Sequence, residues 1–501
     1  MTTLLETSPR IRSVANPSSE HAVVSHMGAP EFCVHALAQM RDDVELKLPA
    51  KSTVGVDLGA IVRAYGLDGR VHFPQSTNSD DRCRFVRGDT ALTSLDPGPP
   101  RLTLGALVES VSAGVGGDAN LVGSDELLAD HRIVVLTNYP THYRLPLFEL
   151  MSRKVETAGA RLRVLFLAAD ARSRPWLTGS EMRFEHDFLP SVRLPLRRRP
   201  PLVPVGLERR LKGERPTILL SAGLSPFVSH RAVKVARETG AAFGVWSGET
   251  SEMPSAQSSL RRPLRRRLVG AADFAIAYGA RSASYLRGLR QDLPLVIGRN
   301  TSPILEAAAP RRMKSGAAAL VLIGDLADTR KGVDVASAAL RLVRSPNVRL
   351  SVIGGGRLLD SFTEDGGGDP RVRFLGPLPP HAVARELVEA DVLLFPTRAD
   401  VFGLALVEAM GAGSMPIVSR AAGAVDDLAV DGHNAIVLGG YEPAVWAAAI
   451  EAVLADPVSC RKRAERARAT IEARWSLRHA AQAMIAGLRL GALSTPGTRA
   501  L

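Results

Sequence analysis

From Arg132 onward, short apolar runs alternate with longer amphipathic stretches. "RIVVLTNYP" (Arg132–Pro140) has the character of a buried strand and ends in a turn. "LPLFELMSRKVETAG" follows, with apolar residues at helical spacing and a glycine stop, and predicts a helix. The apolar run returns in "RLRVLFLAA", "TILLSAG", "AAFGVWSG", "DFAIAYGA" and "LPLVIGRN", with polar or helical sequence between copies. A second series begins at "ALVLIGDLAD" (Ala319–Asp328). It continues through a helix over Val333–Val343, then "VRLSVIGGG", "VRFLGPLP", a helix around His381–Glu389, "DVLLFPT", another helix, "SMPIVSR" and "NAIVLGG".

Strands alternating with helices predict βαβ units and parallel sheets. Two such series predict two doubly wound α/β domains facing across a cleft at their strand C-terminal ends, with a hinge near "RNTSPILEAAAPRRMKSGA" (299–317). The expected domains are 131–312 and 313–475, followed by a terminal helix over 476–501 that packs back on the first. Residues 1–130 form an N-terminal extension with scattered Pro, Ser and Gly ("NPSS", "SLDPGPP"). Within it, Pro30–Phe73 reads like Val333–Gly376, which suggests a partial Rossmann-like unit; chance similarity between two βα segments is the plainer alternative.

The length of 501 residues fits two or three domains, and 46% hydrophobic with 23% charged residues is ordinary globular composition. Cys33, Cys83 and Cys460 have no metal-ligand spacing, so a reducing, cytoplasmic setting is expected rather than a disulfide framework or zinc site. The first 21 residues lack a long apolar core after a basic start, so no signal peptide is expected. No apolar run reaches the ~18 residues of a membrane-spanning helix.

The net charge of +12 gathers in Arg193–Arg215 and Arg261–Arg267. Basic clusters suit an anionic surface, such as the inner face of a membrane, or simply favour solubility. Aromatics are only 5% and no nucleic-acid signature accompanies the arginines, so no nucleic-acid partner is expected.

Three stretches could carry chemistry. "IGDLADTRKG" (Ile323–Gly332) follows a strand and precedes a helix; Gly324 permits close backbone approach and Lys331 can meet a phosphate. "VIGGG" is a second glycine-rich strand end, without the dinucleotide spacing. The strongest is "FPTRADVFGLALVEAMGAG" (Phe395–Gly413). If a helix starts after Gly403, its free N–H groups and positive dipole end suit a diphosphate. Asp400 and Glu408 then flank that helix start, about 12 Å apart if the helix were unbroken. The spacing does not suit a glycosidase acid pair. It suits a grip on two parts of an extended ligand, through hydroxyls of a sugar and a ribose. The plainer alternative makes Asp400 a helix cap and Glu408 an exposed helical acid.

From about Arg132 to Leu490 the chain resembles the retaining GT-B glycosyltransferases of the large family 4 group (glycosyl transferases group 1). The resemblance rests on "NYPTHYRLPLFELM", "IGDLADTRKGVDV", "VRLSVIGGG", "VRFLGPLP", "ADVLLFPTRADVFGLALVEAMGAGSMPIV", "GAVDDLAVDGHNAIV" and "RWSL", in this order. It implies the GT-B architecture, two Rossmann-like domains across a cleft, and an enzyme of glycan biosynthesis. Such an enzyme would transfer a hexose from a nucleotide sugar to a hydroxyl of a glycan, lipid or small molecule, with retention. No cofactor or metal is expected.

Carried over by residue, the resemblance puts Asp400 on the transferred sugar and Glu408 on the ribose. Phe402, Gly403 and Leu404 offer backbone N–H groups, and Lys331 neutralises the diphosphate. Asp427 matches the acid of the family's Gly-Gly-x-Pro-Glu turn. The chain departs from the pattern at Asp325, where the family commonly has Arg; Arg330 is the substitute cation. The first loop, "TNYPTHYR", has no paired glycines but carries His142 and Arg144, the candidates for the acceptor side. The resemblance implies attack from the face the diphosphate leaves, with a phosphate oxygen taking the proton. The rival expectations are a degenerate, non-catalytic GT-B binding protein, motivated by Asp325, and a GT-B phosphorylase or epimerase.

Overall fold

The computed structural model describes six strands within 12–91. From 126 to 495 it describes all residues except 170–181, 194–201, 226, 254–256, 258–260, 304–317, 327–328 and 357–368. The chain divides into two compact units, Met1–Leu121 and Val122–Leu501.

In the first unit, β1 (Arg12–Val14) and β2 (Val23–Ser25) pair antiparallel. A second sheet has the order β4-β3-β5-β6, from β3 (Glu45–Lys47), β4 (Val71–His72), β5 (Arg84–Arg87) and β6 (Thr90–Ala91). Most of the stretch compared with Val333–Gly376 lies outside the described residues.

The second unit opens with β7 (Arg132–Thr137), α1 (Leu145–Thr157), β8 (Arg161–Phe166) and β9 (His186–Phe188). β10 (Ser191–Arg193) and β11 (Leu202–Pro204) form an antiparallel pair. α2 (Leu207–Glu214), β12 (Ile218–Ala222), α3 (Ser229–Thr239), β13 (Ala242–Ser247), α4 (Arg262–Gly270), β14 (Phe274–Ala277), α5 (Ala280–Leu289) and β15 (Leu295–Ile297) follow. Their parallel sheet has the order β15-β14-β13-β12-β7-β8-β9. Its central strands are buried along their length, as a sheet covered on both faces requires.

The second half repeats this plan with β16 (Ala318–Ile323), α6 (Val333–Leu342), β17 (Val348–Ile353), β18 (Val372–Gly376), α7 (Pro380–Glu389), β19 (Val392–Phe395), α8 (Leu404–Ala412), β20 (Met415–Ser419), α9 (Val425–Leu428) and β21 (Ile436–Leu438). The sheet order is β18-β17-β16-β19-β20-β21, all parallel. Three helices close the chain: α10 (Pro443–Ala455), α11 (Pro457–Arg474) and α12 (Leu477–Leu493). α12 packs on α1 and on β14 and β15 of the first sheet. Its small residues allow this: a Cβ at Gly487 would fall 2.5 Å from Ile276, and one at Gly491 would fall 2.7 Å from Phe274.

Both sheets therefore reverse strand order beside their first strand, between β7 and β12 and between β16 and β19. In open α/β sheets such switch points leave a crevice at the strand C-terminal ends, where ligands bind. Among the described residues no single helix is long and apolar enough to cross a membrane.

Candidate active site

The second switch point is built by glycines. The amide of Gly324, just after β16, donates to the Ile353 carbonyl at 3.0 Å, and the Gly354 amide donates to Gly376 at 2.9 Å. A Cβ at Gly354 would sit 1.8 Å from the Gly324 carbonyl oxygen. Gly332, at φ +66°, would put a Cβ 2.0 Å from the Pro396 carbonyl oxygen. These close approaches bring the ends of β16, β17 and β19 together, so the two glycine-rich turns of the sequence form one floor. A Cβ at Gly324 would strike the Lys331 stem at 2.7 Å, so the lysine lies across that floor.

Lys331 reaches the loop after β19. Its Nζ donates to Asp400 Oδ2 and lies 5.5 Å from the centroid of the Phe395 ring. Both side chains are 17% exposed. The loop is clamped to the lysine turn elsewhere too. Thr397 Oγ1 and the Arg398 amide both donate to the Arg330 carbonyl, at 3.0 and 2.7 Å. The Arg398 guanidinium binds both oxygens of Asp334, at 2.9 and 2.7 Å. Asp400 is thus the partner of Lys331 rather than a helix cap. Asp325 is exposed immediately after Gly324.

Gly403 starts α8 at φ +92°, and no side chain caps the helix. Its first amides therefore keep hydrogen-bonding capacity at the positive end of the dipole. The Phe402 side chain is buried and stacks on Trp475, with centroids 5.9 Å apart and planes at 14°; Leu404 is half-buried. Glu408 is 7% exposed, unlike an ordinary helical surface acid. Burial pushes its carboxyl up to about 7, offset in part by the Ser302 hydroxyl. Ser302 Oγ has no partner of good hydrogen-bond geometry among the described residues.

Ser302 belongs to the segment that joins the halves. Arg299, Asn300, Thr301 and Ser302 are all buried. Thr301 Oγ1 donates to the Trp475 carbonyl at 2.9 Å, and the Trp475 indole donates to the Asn300 carbonyl at 3.0 Å. The part of the expected hinge over 304–317 lies outside the described residues.

The halves also meet at their strand ends. Both Asp427 oxygens accept the Ala280 amide, at 3.0 Å each, in the first turn of α5. Burial pushes the Asp427 carboxyl up to about 7, against the lowering by that backbone bond. A Cβ at Gly279 would fall 2.3 Å from Asp427 Oδ2 and 2.7 Å from the Phe402 ring. Asp427, which matches the acid of the Gly-Gly-x-Pro-Glu turn, therefore packs against the opposite half. Beside it, Arg281 binds both Asp426 oxygens, at 2.7 and 2.9 Å, and the Arg420 carbonyl at 2.7 Å.

In the first half, His142 and Arg144 lie on the loop after β7, at that sheet's switch point. Arg144 Nη1 donates to Thr137 Oγ1 at 2.8 Å, and Nη2 donates to the Tyr278 hydroxyl. The guanidinium sits 4.5 Å over Trp246. Among the described residues no carboxylate pairs with it. His142 packs edge-on to Tyr143, centroids 5.4 Å apart.

The second half thus gathers Gly324, Arg330, Lys331, Asp400, Phe402, Gly403 and Leu404 around one turn and helix start, with Glu408 one turn deeper. His142 and Arg144 stand apart, on the other sheet. The sequence reading did not single out Ser302, Arg398, Tyr278 or Trp246 as site residues. Arg398 lies inside the stretch Phe395–Gly413, and Trp475 inside "RWSL".

Two parallel Rossmann-like sheets, joined through a buried crossing and meeting at their strand C-terminal ends, define the GT-B fold. Solved structures agree on the fold. One is Anabaena Alr3699/HepE in complex with UDP and glucose (TM-score 0.56, 15% identity, 72% of this chain and 99% of that one). Another is WaaG, a glycosyltransferase involved in lipopolysaccharide biosynthesis (TM-score 0.53, 17% identity, 71% and 100%). Within that fold, residues 317–456 match the model of the Glycosyl transferases group 1 family. The curated relatives match over limited stretches. A D-inositol 3-phosphate glycosyltransferase of Corynebacterium kroppenstedtii is 37% identical over 97 residues, 19% of this chain and 21% of the relative. A glycogen synthase of Mycobacterium tuberculosis is 34% identical over 166 residues, 32% and 39%. The chain thus spans between about a fifth and two-fifths of the length of these two relatives.

Proposed function

We propose that this protein transfers a hexose from a nucleotide-sugar donor to a hydroxyl acceptor, with retention of anomeric configuration. The observation that carries the reading is the convergence of Lys331, Asp400, the uncapped start of α8 and buried Glu408 at one switch point. The complexes of Alr3699/HepE with UDP and with UDP-glucose support a nucleotide-sugar donor.

In this reading the diphosphate lies over the floor of Gly324, between Lys331 and the amides of Gly403 and Leu404. Lys331 leaves Asp400 for the phosphate, and Asp400 turns to the sugar hydroxyls. Glu408 takes the ribose diol. The acceptor hydroxyl attacks the anomeric carbon from the face the diphosphate leaves, and a phosphate oxygen takes its proton. No described residue then acts as nucleophile; the protein positions the groups and stabilises departing charge. His142 and Arg144 stand on the acceptor side.

Donor-dependent sugar transfer or donor hydrolysis by the full chain tests this. Activity that is lost in Lys331→Ala and Glu408→Ala variants with unchanged folding supports it. The second reading is a GT-B protein that binds without catalysing, favoured by the exposed acid Asp325 at the diphosphate floor and by Lys331 resting on Asp400. No transfer with any nucleotide sugar, and no binding of one, selects that reading.

A further inference from the structure

We propose that the outer face of α4 and the turn ahead of α3 form a docking surface for an anionic lipid bilayer. α4 turns Arg262, Leu264, Arg266 and Arg267 to solvent, while its opposite side buries Leu268 and Val269. Leu264 is 47% exposed, and Phe227, just ahead of α3, is 38% exposed. α3 and α4 pack side by side, and Arg267 is near enough to help burial lower the pKa of His230, in the first turn of α3.

Charge matching separates this face from the other basic region. On α2 and α3, Arg210 pairs with Asp187 and Glu214, Lys212 with Glu238, and Arg231 with Glu208. On α4, buried Arg265 alone pairs, with Glu249. Among the described residues Arg262, Arg266 and Arg267 make no ion pair. Unmatched arginines interleaved with exposed Leu and Phe suit an interface that is anionic on its surface and apolar beneath. A purely polyanionic partner would leave the two apolar side chains unused. The face also has a useful position. α4 follows β13 from its C-terminal end, so the start of α4 belongs to the side of the first sheet on which its switch-point crevice opens. A lipid-linked acceptor would be delivered there. The docking itself needs no donor chemistry, so it stands or falls separately from the transfer reaction.

Sedimentation of the full chain with vesicles tests the surface. Binding to phosphatidylcholine vesicles containing phosphatidylglycerol is expected at low salt, with little binding to phosphatidylcholine alone and release in 1 M NaCl. Each arginine near the surface contributes about fivefold to partitioning. The triple variant Arg262→Glu/Arg266→Glu/Arg267→Glu should therefore lose on the order of a hundredfold or more. Leu264→Ser should weaken binding without changing its salt dependence. A control on α11, Arg461→Glu/Lys462→Glu, should bind as the parent does. If the triple reversal unfolds the chain, the corresponding Gln variants make the same comparison. The proposal is overturned if the α4 variants bind like the parent, if the α11 control loses binding equally, or if the chain binds heparin but no vesicle.

Discussion

β16 and β19 deliver Lys331 and Asp400 to each other across the second switch point, whereas the loop after β7 delivers Arg144 to Thr137, Tyr278 and Trp246 across the first. One cation rests on a carboxylate and the other on hydroxyls and an aromatic face. The difference concerns what an incoming anion meets. At Lys331 it finds a neutralised pair and must displace Asp400. At Arg144 no carboxylate among the described residues offsets the positive charge, which is held by groups that stay neutral at ordinary pH. In the proposed reaction, the donor half can exchange its partner, while the acceptor half offers a fixed charge.

The largest effect should come from removing the exchangeable cation. Lys331→Ala should lower donor-dependent transfer by about 100-fold or more, the scale of one preorganised charge at a departing group. Asp400→Asn frees the lysine and should retain donor binding while transfer falls. Isothermal titration beside initial-rate measurements separates the two. If Arg144→Leu removes donor binding as completely as Lys331→Ala, the contrast between the halves is wrong.

The glycines sharpen the contrast in stability. Gly332 has a left-handed φ and no room for a Cβ, which would meet the Pro396 carbonyl at 2.0 Å. Gly332→Ala should cost roughly 3 kcal/mol, strain and clash together. In the first half, Gly223 has φ +83° but nothing within 4 Å of a Cβ. Gly223→Ala should cost only about 1 kcal/mol. Urea unfolding of both variants, at constant m-value, checks the difference.

Glu408 gives the next effect, through pH. Its folded carboxyl sits at about 7, above the ordinary 4.5, because burial disfavours the charge. Between these values the folded state holds a proton that the unfolded state has released, so stability falls as pH rises through that window. Above about pH 7 the full cost applies, on the order of 3 kcal/mol. Glu408→Gln should raise the melting temperature at pH 8 and leave it nearly unchanged at pH 4.5. A ribose diol donating to the carboxylate favours the ionised form, so donor affinity should strengthen as pH rises through about 7. A pH-independent difference between parent and variant would mean that Glu408 is not buried as a neutral acid.

These residues also mark how far the sequence could be read. The period of apolar runs in "RIVVLT" and "ALVLIG" located the strands, because doubly covered parallel strands are apolar throughout. The edge strand β9, "HDF", was missed because an edge strand need not be apolar. α2 and α4 look like plain basic stretches in the sequence, because their arginines obscure the few core positions, Leu207 and Leu211 in one and Leu268 and Val269 in the other. The cluster around Lys331 and Asp400 was legible because it lies in two short segments tied to strand ends. Ser302 beside Glu408, and Tyr278 on Arg144, were not. Each contact spans more than 100 residues and depends on how the chain closes. Asp427 shows the opposite case: the motif was visible, but its contact with α5 is a property of the assembled halves.

The smallest effect tests that assembly. Arg281 and Asp426 join the halves through a bidentate ion pair, with the aspartate side chain 44% exposed. Exposed pairs contribute little, so a double-mutant cycle on Arg281→Ala and Asp426→Ala should give a coupling below about 1 kcal/mol. It should shrink further in 1 M NaCl. The neighbouring Asp427 contact differs in kind, being buried and made to a helix amide, so Asp427→Ala should cost about 1–2 kcal/mol and resist salt. If the Arg281–Asp426 coupling instead exceeds about 2 kcal/mol and survives salt, the pair acts as a desolvated lock. Charge matching would then matter more between the halves than within the Lys331–Asp400 cluster.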